Sequence, residues 1–140
     1  MKKIISPALL LLTLLTAGCH VVIEEDVPSI PVQQQGSQIV RAIISENYKE
    51  FIAGANDTAI GGQDAENFVT SCKQLEETYG RAGSFRYLGE LQTPLLINQL
   101  YAVKFHRKGA DGKNIEHEQL LQLIFGMENN NCKLLGIRFL

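Results

Sequence analysis

The sequence predicts an α+β domain with two N-terminal helices packed on one face of a four-stranded antiparallel sheet. Three observations carry this: apolar residues recur every three or four positions over 40–79, they alternate from 85 onward, and turn signals separate the alternating runs. Helices followed by strands, rather than alternating with them, segregate the helices to one side of the sheet.

The first helix opens at Ser37, a good N-cap. Val40, Ile43, Ile44, Tyr48, Phe51 and Ile52 then form one apolar stripe, while Arg41, Glu46, Lys49 and Glu50 fall elsewhere, which predicts about four turns ending near Gly54. Asn56-Asp57 and Gly61-Gly62 mark a loop. Asp64 caps the second helix, with Glu66 in the first turn where the helix dipole favours negative charge. Phe68, Cys72, Leu75 and Tyr79 form its stripe, and Gly80 stops it.

Phe85 to Leu91 is the first strand, ended or bent by Thr93-Pro94. Leu100 to Arg107 is the second, with Tyr101, Val103 and Phe105 on one face and Ala102, Lys104 and His106 on the other. Asp111-Gly112 signals the next turn. A strict two-residue turn sets His106 opposite His117. A shift by one residue sets Tyr101 across from Leu123 and Val103 across from Leu121, which buries more apolar surface and parts the histidines to opposite faces. Glu118 to Met127 and Cys132 to Leu140 complete the sheet through Asn129-Asn130-Asn131. A three-residue loop there pairs Phe125 with Leu135, Leu123 with Ile137 and Leu121 with Phe139.

The start of the chain has a different character. Met1-Lys2-Lys3 precedes an apolar run from Ile4 to Leu15, too short for the roughly 20 residues of a membrane span and ordered like a signal segment. Leu15-Thr16-Ala17-Gly18-Cys19 resembles a bacterial lipobox, departing from the usual pattern at Thr16. The resemblance implies cleavage after residue 18 and a palmitate-type lipid anchor on Cys19. With His20 rather than Asp after the Cys, it also implies the periplasmic face of the outer membrane. The expected organisation is thus a signal peptide over 1–18, a lipidated Cys and flexible tether over 19–36, and a single domain over 37–140. Pro28 and Pro31 speak against a helix in the tether, whose coil reach is on the order of 20–25 Å.

Without residues 1–18 the chain carries eleven basic and fifteen acidic side chains, a formal charge of −4. That balance, with no basic cluster, argues against nucleic-acid binding. Cys72 and Cys132 remain as a thiol pair in an oxidising compartment, so a disulfide is expected, against the alternative of two buried free thiols. Closing their 59-residue loop would contribute roughly 4 kcal/mol. Cys132 has the opposite parity to the apolar face, so the bridge needs a bulge or a bent strand end.

The order of elements resembles the cone-shaped nuclear transport factor-like superfamily, and Tyr101-Ala102-Val103-Lys104-Phe105 with Cys132-Lys133-Leu134-Leu135-Gly136 is similar to its small periplasmic members. A plain two-layer sandwich and a cystatin-like sheet on a helix stay open at this level. The resemblance implies a pocket between helices and sheet, for which Tyr48, Phe51, Tyr79, Tyr87, Tyr101 and Phe105 are the candidate lining. Each is equally an ordinary core residue.

Polar constellations are weak. His106 and His117 read as solvated strand-end histidines rather than a metal pair, and Glu116 with Glu118 as a solvated edge. Cys72 has no neighbouring base to make it a nucleophile. No catalytic residues, cofactor or metal are expected. The expected role is a non-enzymatic envelope module that binds a protein partner or itself, since Leu120, Ile124, Leu134 and Leu140 make the second sheet face too apolar for full exposure. The alternative is a small-ligand-binding or weakly catalytic cone pocket.

Overall fold

A computed structural model describes residues 30–56, 64–128 and 131–140. Cys19, the signal segment and the tether up to residue 29 lie outside the described residues. Three helices, α1 (Ile30–Ile44), α2 (Tyr48–Ala55) and α3 (Ala65–Tyr79), precede four strands, β1 (Arg81–Gln92), β2 (Leu96–Lys108), β3 (Asn114–Glu128) and β4 (Asn131–Phe139). The strands form an antiparallel meander in chain order, so the expected α+β architecture holds. Within the described residues no helix is long and apolar enough to cross a membrane.

Helix α1 begins seven residues before Ser37, so residues 30–36 are helix rather than tether. Pro31 falls in the first turn, where its missing N–H would have had no partner in any case. Val32 and Gly36 are buried there, which gives the early start its packing reason. The long helix expected next is two helices. Glu46 takes a left-handed φ of 52°, and Asn47 restarts the helix by accepting from the Glu50 N–H at 3.2 Å. The apolar spacing runs unbroken from Ile44 to Tyr48 to Phe51, so the break leaves no trace in the periodicity. Helix α3 follows expectation: Asp64 accepts from Asn67 N–H at 2.8 Å, and the Gly80 N–H closes on Glu76.

The β2–β3 register differs from expectation. Tyr101 pairs with Leu121, Val103 with Gln119 and Phe105 with His117. The turn is a three-residue one: the Gly112 N–H reaches the Gly109 carbonyl at 3.0 Å and the Gly109 N–H reaches Lys113 O at 2.8 Å. Gly112 sits at φ 77°, the left-handed residue that such a loop requires. Each strand is therefore one residue out of the step that a two-residue Asp111-Gly112 turn would set.

The β3–β4 register is as expected at Leu121–Phe139 and Leu123–Ile137, and then slips. Leu135 is an extra residue, so Phe125 pairs with Leu134. The bulge inverts the parity of everything before it: Leu134 and Cys132 turn into the core, and Leu135 turns out, 52% exposed. Leu134 therefore leaves the outer-face set. The core lies between α1–α3 and the inner sheet face and contains Ile39, Phe51, Phe68, Tyr101, Phe105, Leu121, Leu123, Phe125 and Leu134.

Candidate functional site

The six aromatic side chains named as pocket lining do not converge. Tyr48 and Phe51 pack on Phe68, with ring centroids 5.7 and 4.7 Å away. Tyr79 and Phe105 meet each other and Phe139, with His117 stacked on Phe105 at 5.8 Å. Tyr87 lies edge-on to Tyr101 at 5.4 Å, and Phe85 joins them. Tyr101 and Phe105 are fully buried core residues.

A groove of about 440 Å3 does open along the seam between the helices and β4. It is lined by Ile43, Phe51, Phe68, Ser71, Leu75, Gly136, Ile137 and Phe139, with no ionisable side chain among them. Of the expected lining, only Phe51 belongs to it. A volume of this order with apolar walls suits a small hydrophobic group.

The expected disulfide is absent: Cys72 and Cys132 are both free and buried. Cys72 faces the Ile43 carbonyl at 3.8 Å and lines a cleft of about 280 Å3 with Glu46, Gly80 and Phe105. Cys132, the second residue of β4, lies across from Met127, and its carbonyl accepts from Gln35 and Asn56. The bulge does turn Cys132 inward, yet the two thiols stay unbonded. Burial, and then the Glu46 carboxylate, push the Cys72 thiol up to about 11, which suppresses the nucleophilic thiolate.

His106 and His117 sit on opposite faces. His106 is on the outer face with its Nδ1 3.3 Å from Glu116, which Lys104 also approaches at 3.7 Å. Glu118 pairs with Arg86 at 3.2 Å. Both carboxylates are thus matched by solvated cations, and among the described residues no group of three metal-ligating side chains gathers.

The polar cluster that sequence reasoning missed lies between the sheet and the helices, where β1 and β2 meet α1. Gln99 is fully buried beside Tyr101, whose hydroxyl donates to its carboxamide oxygen at 2.9 Å. The Gln99 amide donates to Glu90 Oε2 at 3.1 Å, and the Tyr87 hydroxyl donates to the same oxygen at 3.1 Å. Ser37 hydrogen-bonds Tyr101 from α1. Gly36 lies against this cluster: any Cβ there would collide with the Gln99 carboxamide and the Tyr101 hydroxyl. Burial first, and Glu90 as a further cause, push both tyrosines up to about 12, so they stay donors. One signal was available in the sequence: Gln99 shares the parity of Tyr101, Val103 and Phe105, a polar residue on a buried face.

The outer sheet face divides in two. At one end, rows across the strands read Arg81, His106, Glu116 and then Ser84, Lys104, Glu118. At the other end they read Gly89, Leu100, Gln122, Arg138 and then Leu91, Asn98, Ile124, Gly136. Leu91, Leu120, Leu135 and Leu140 are exposed.

No protein-family model and no curated protein matches the chain. Solved structures do. A candidate polyketide cyclase from Acidithiobacillus ferrooxidans aligns with a TM-score of 0.50 and 14% identity, covering 80% of this chain and 88% of that one. A structure titled "Rd1NTF2_04 with long sheet" gives 0.49 and 10%, covering 77% and 98%. An NTF2-like protein of unknown function from Cytophaga hutchinsonii gives 0.39 and 12%, covering 77% and 88%. At these identities the likeness concerns the fold alone: helices packed on one face of an antiparallel sheet, as in the candidate cyclase.

Proposed function

We propose that this chain is a lipid-anchored, non-enzymatic module of the bacterial envelope, held through Cys19 at the periplasmic face of the outer membrane, which docks a protein partner. The observation that carries the reading is the leucine-rich half of the outer sheet face. Leu91 (68% exposed), Leu120, Leu135 and Leu140 stand out on one side of a sheet whose other side is the core. Exposed apolar surface on a small domain is costly unless a partner covers it. The neighbouring ion pairs, Arg86–Glu118 and Lys104–Glu116, supply a polar rim of the kind that sets register in an interface. The absence of a catalytic constellation from the reading rests on side chains already engaged: Glu116 and Glu118 in ion pairs, Cys72 in a protonating environment.

The test is site-specific photo-crosslinking of the full chain in intact cells. A crosslinking residue at Leu120 or Leu135 is expected to give one discrete adduct, and the same residue at Glu77 on α3 none. Recovery of monomer alone from both sheet positions would sink the reading.

A second reading has its own support in the groove beside β4, whose apolar lining fits a small hydrophobic ligand. Saturable binding of a fluorescent apolar probe, lost in Ile137→Arg, would favour it. Binding unchanged by that substitution would remove it.

A further inference from the structure

β4 is the last strand of the sheet, so the backbone on its far side has no strand beside it. The direction of its groups is set at the C-terminal end, where the Leu140 N–H donates to the Leu120 carbonyl of β3 at 2.9 Å. Antiparallel alternation then turns the N–H and C=O of Phe139 and Ile137 away from β3. The Cys132 carbonyl at the other end also leaves the ladder, accepting from Gln35 and Asn56. Among the described residues no hydrogen bond reaches the Ile137 or Phe139 backbone from that side.

Sheet edges are commonly blunted, and the two edges here differ in this respect. β1 carries two register shifts, at Ala82/Ser84 and Tyr87/Gly89, with Gly89 at φ 149°. β4 has its bulge at Leu135 and then runs regularly from Gly136 to Phe139 without proline. Gly136, Ile137 and Phe139 of that regular stretch also line the apolar groove of about 440 Å3. An open edge and an apolar groove therefore meet on the same residues.

An extended segment satisfies both. Its main chain would continue the ladder at Ile137 and Phe139, and every second side chain would enter the groove beside Ile43, Phe51 and Phe68. The intervening side chains would lie along the outer side of β4, where Leu135, Arg138 and Leu140 are exposed. Lys133 and Arg138 are the only charged residues of β4, and both are cationic. The Arg138 guanidinium donates to the neutral Gln122 carboxamide, and among the described residues no carboxylate pairs with it. A second copy of β4 would offer these cations only neutral residues or like charge, whereas acidic residues across the strands would stabilise the pair.

We propose that the free edge of β4 is a strand-addition site for an extended segment of a partner protein in which apolar and acidic residues alternate. The edge is a different surface from the leucine-rich outer face, so the site stands without that reading. It does share the groove with the small-ligand reading, using it as a row of side-chain pockets.

The test is fluorescence anisotropy of a short labelled peptide of alternating valine and glutamate, titrated with the detergent-solubilised full chain. Saturable binding is expected. It should be lost when the central amides of the peptide are N-methylated, which removes the donors and keeps the side chains. A peptide alternating valine and lysine should not bind. Arg138→Glu, at an exposed position, should weaken the glutamate peptide about threefold, the size of one cross-strand charge pair. Four results would overturn the site: no binding by the native chain, binding that survives N-methylation, equal binding of the lysine peptide, or unchanged affinity in Arg138→Glu. A dimer that the peptide does not dissociate gives the edge to a second copy and overturns it as well. If the fluorescent apolar probe binds and the peptide does not, the groove takes small molecules and the strand-addition site alone falls.

Discussion

The Tyr101 hydroxyl donates to the Gln99 carboxamide oxygen at 2.9 Å, two residues apart on one face of β2, and neither side chain reaches solvent. Gln99 is the middle of a relay that runs from Tyr101 through its own amide to Glu90. Removing the end of the relay should hurt less than removing its centre. Tyr101→Phe is expected to cost about 1–3 kcal/mol, the usual loss when a buried acceptor is deprived of a donor. Gln99→Leu deprives both Tyr101 and Glu90 and should cost more. In urea unfolding the double variant should fall short of additivity, because the second change removes a partner already lost.

The bulge at Leu135 makes a sharp prediction about two adjacent leucines. Leu134 is fully buried and Leu135 is not. Leu134→Ala should cost about 2–5 kcal/mol, as truncations in a packed core do. Leu135→Ala should stay within about 0.5 kcal/mol, the range of surface substitutions. A bulge-free ladder would reverse the order, so thermal or urea midpoints of the two variants decide the register.

That pair also explains what could be read in advance. Leu134-Leu135 is apolar at both parities, so the sequence offers no sign of where a bulge falls. The Asp111-Gly112 turn was visible, but its loop includes Ala110, and alternation alone does not count loop residues. Helix α3 was legible at both ends because Asp64 and Gly80 are residues with one dominant use there. The start of α1 was hidden by Pro31, which signals a break inside a helix and a beginning in its first turn. Of the polar cluster, only Gln99 left a trace, because a register shift between Tyr87 and Gly89 reverses the parity of β1 and brings Glu90 onto the face that Phe85 and Tyr87 share.

The break between α1 and α2 can be tested through the sign of one substitution. Asn47 caps α2 through the Glu50 N–H. Asn47→Ala should therefore destabilise by about 1 kcal/mol. In one uninterrupted helix the same change would stabilise by roughly half that, because alanine has the better helix propensity. Chemical denaturation distinguishes a loss from a gain without needing its exact size.

Cys72 gives the domain a pH dependence with a defined direction. Its thiol is raised from 9.0 to about 11, by burial first and by the Glu46 carboxylate second. The native state thus holds the proton more tightly than the unfolded chain does. The resulting stabilisation is fully present below the unfolded value and is lost as pH rises through the folded one. The thermal midpoint should decline from about pH 9 upward. Tyr87 and Tyr101, whose ordinary value is 10.0, add a second decline at higher pH as they approach about 12. Cys72→Ala removes one contributor and leaves Cys132, whose thiol burial also raises, and the tyrosines, so it should make the first part of the profile shallower and leave the later part in place. Superimposable profiles for the native chain and Cys72→Ala would mean that the thiol titrates alike in both states, and that its burial behind Ile43 does not persist in solution.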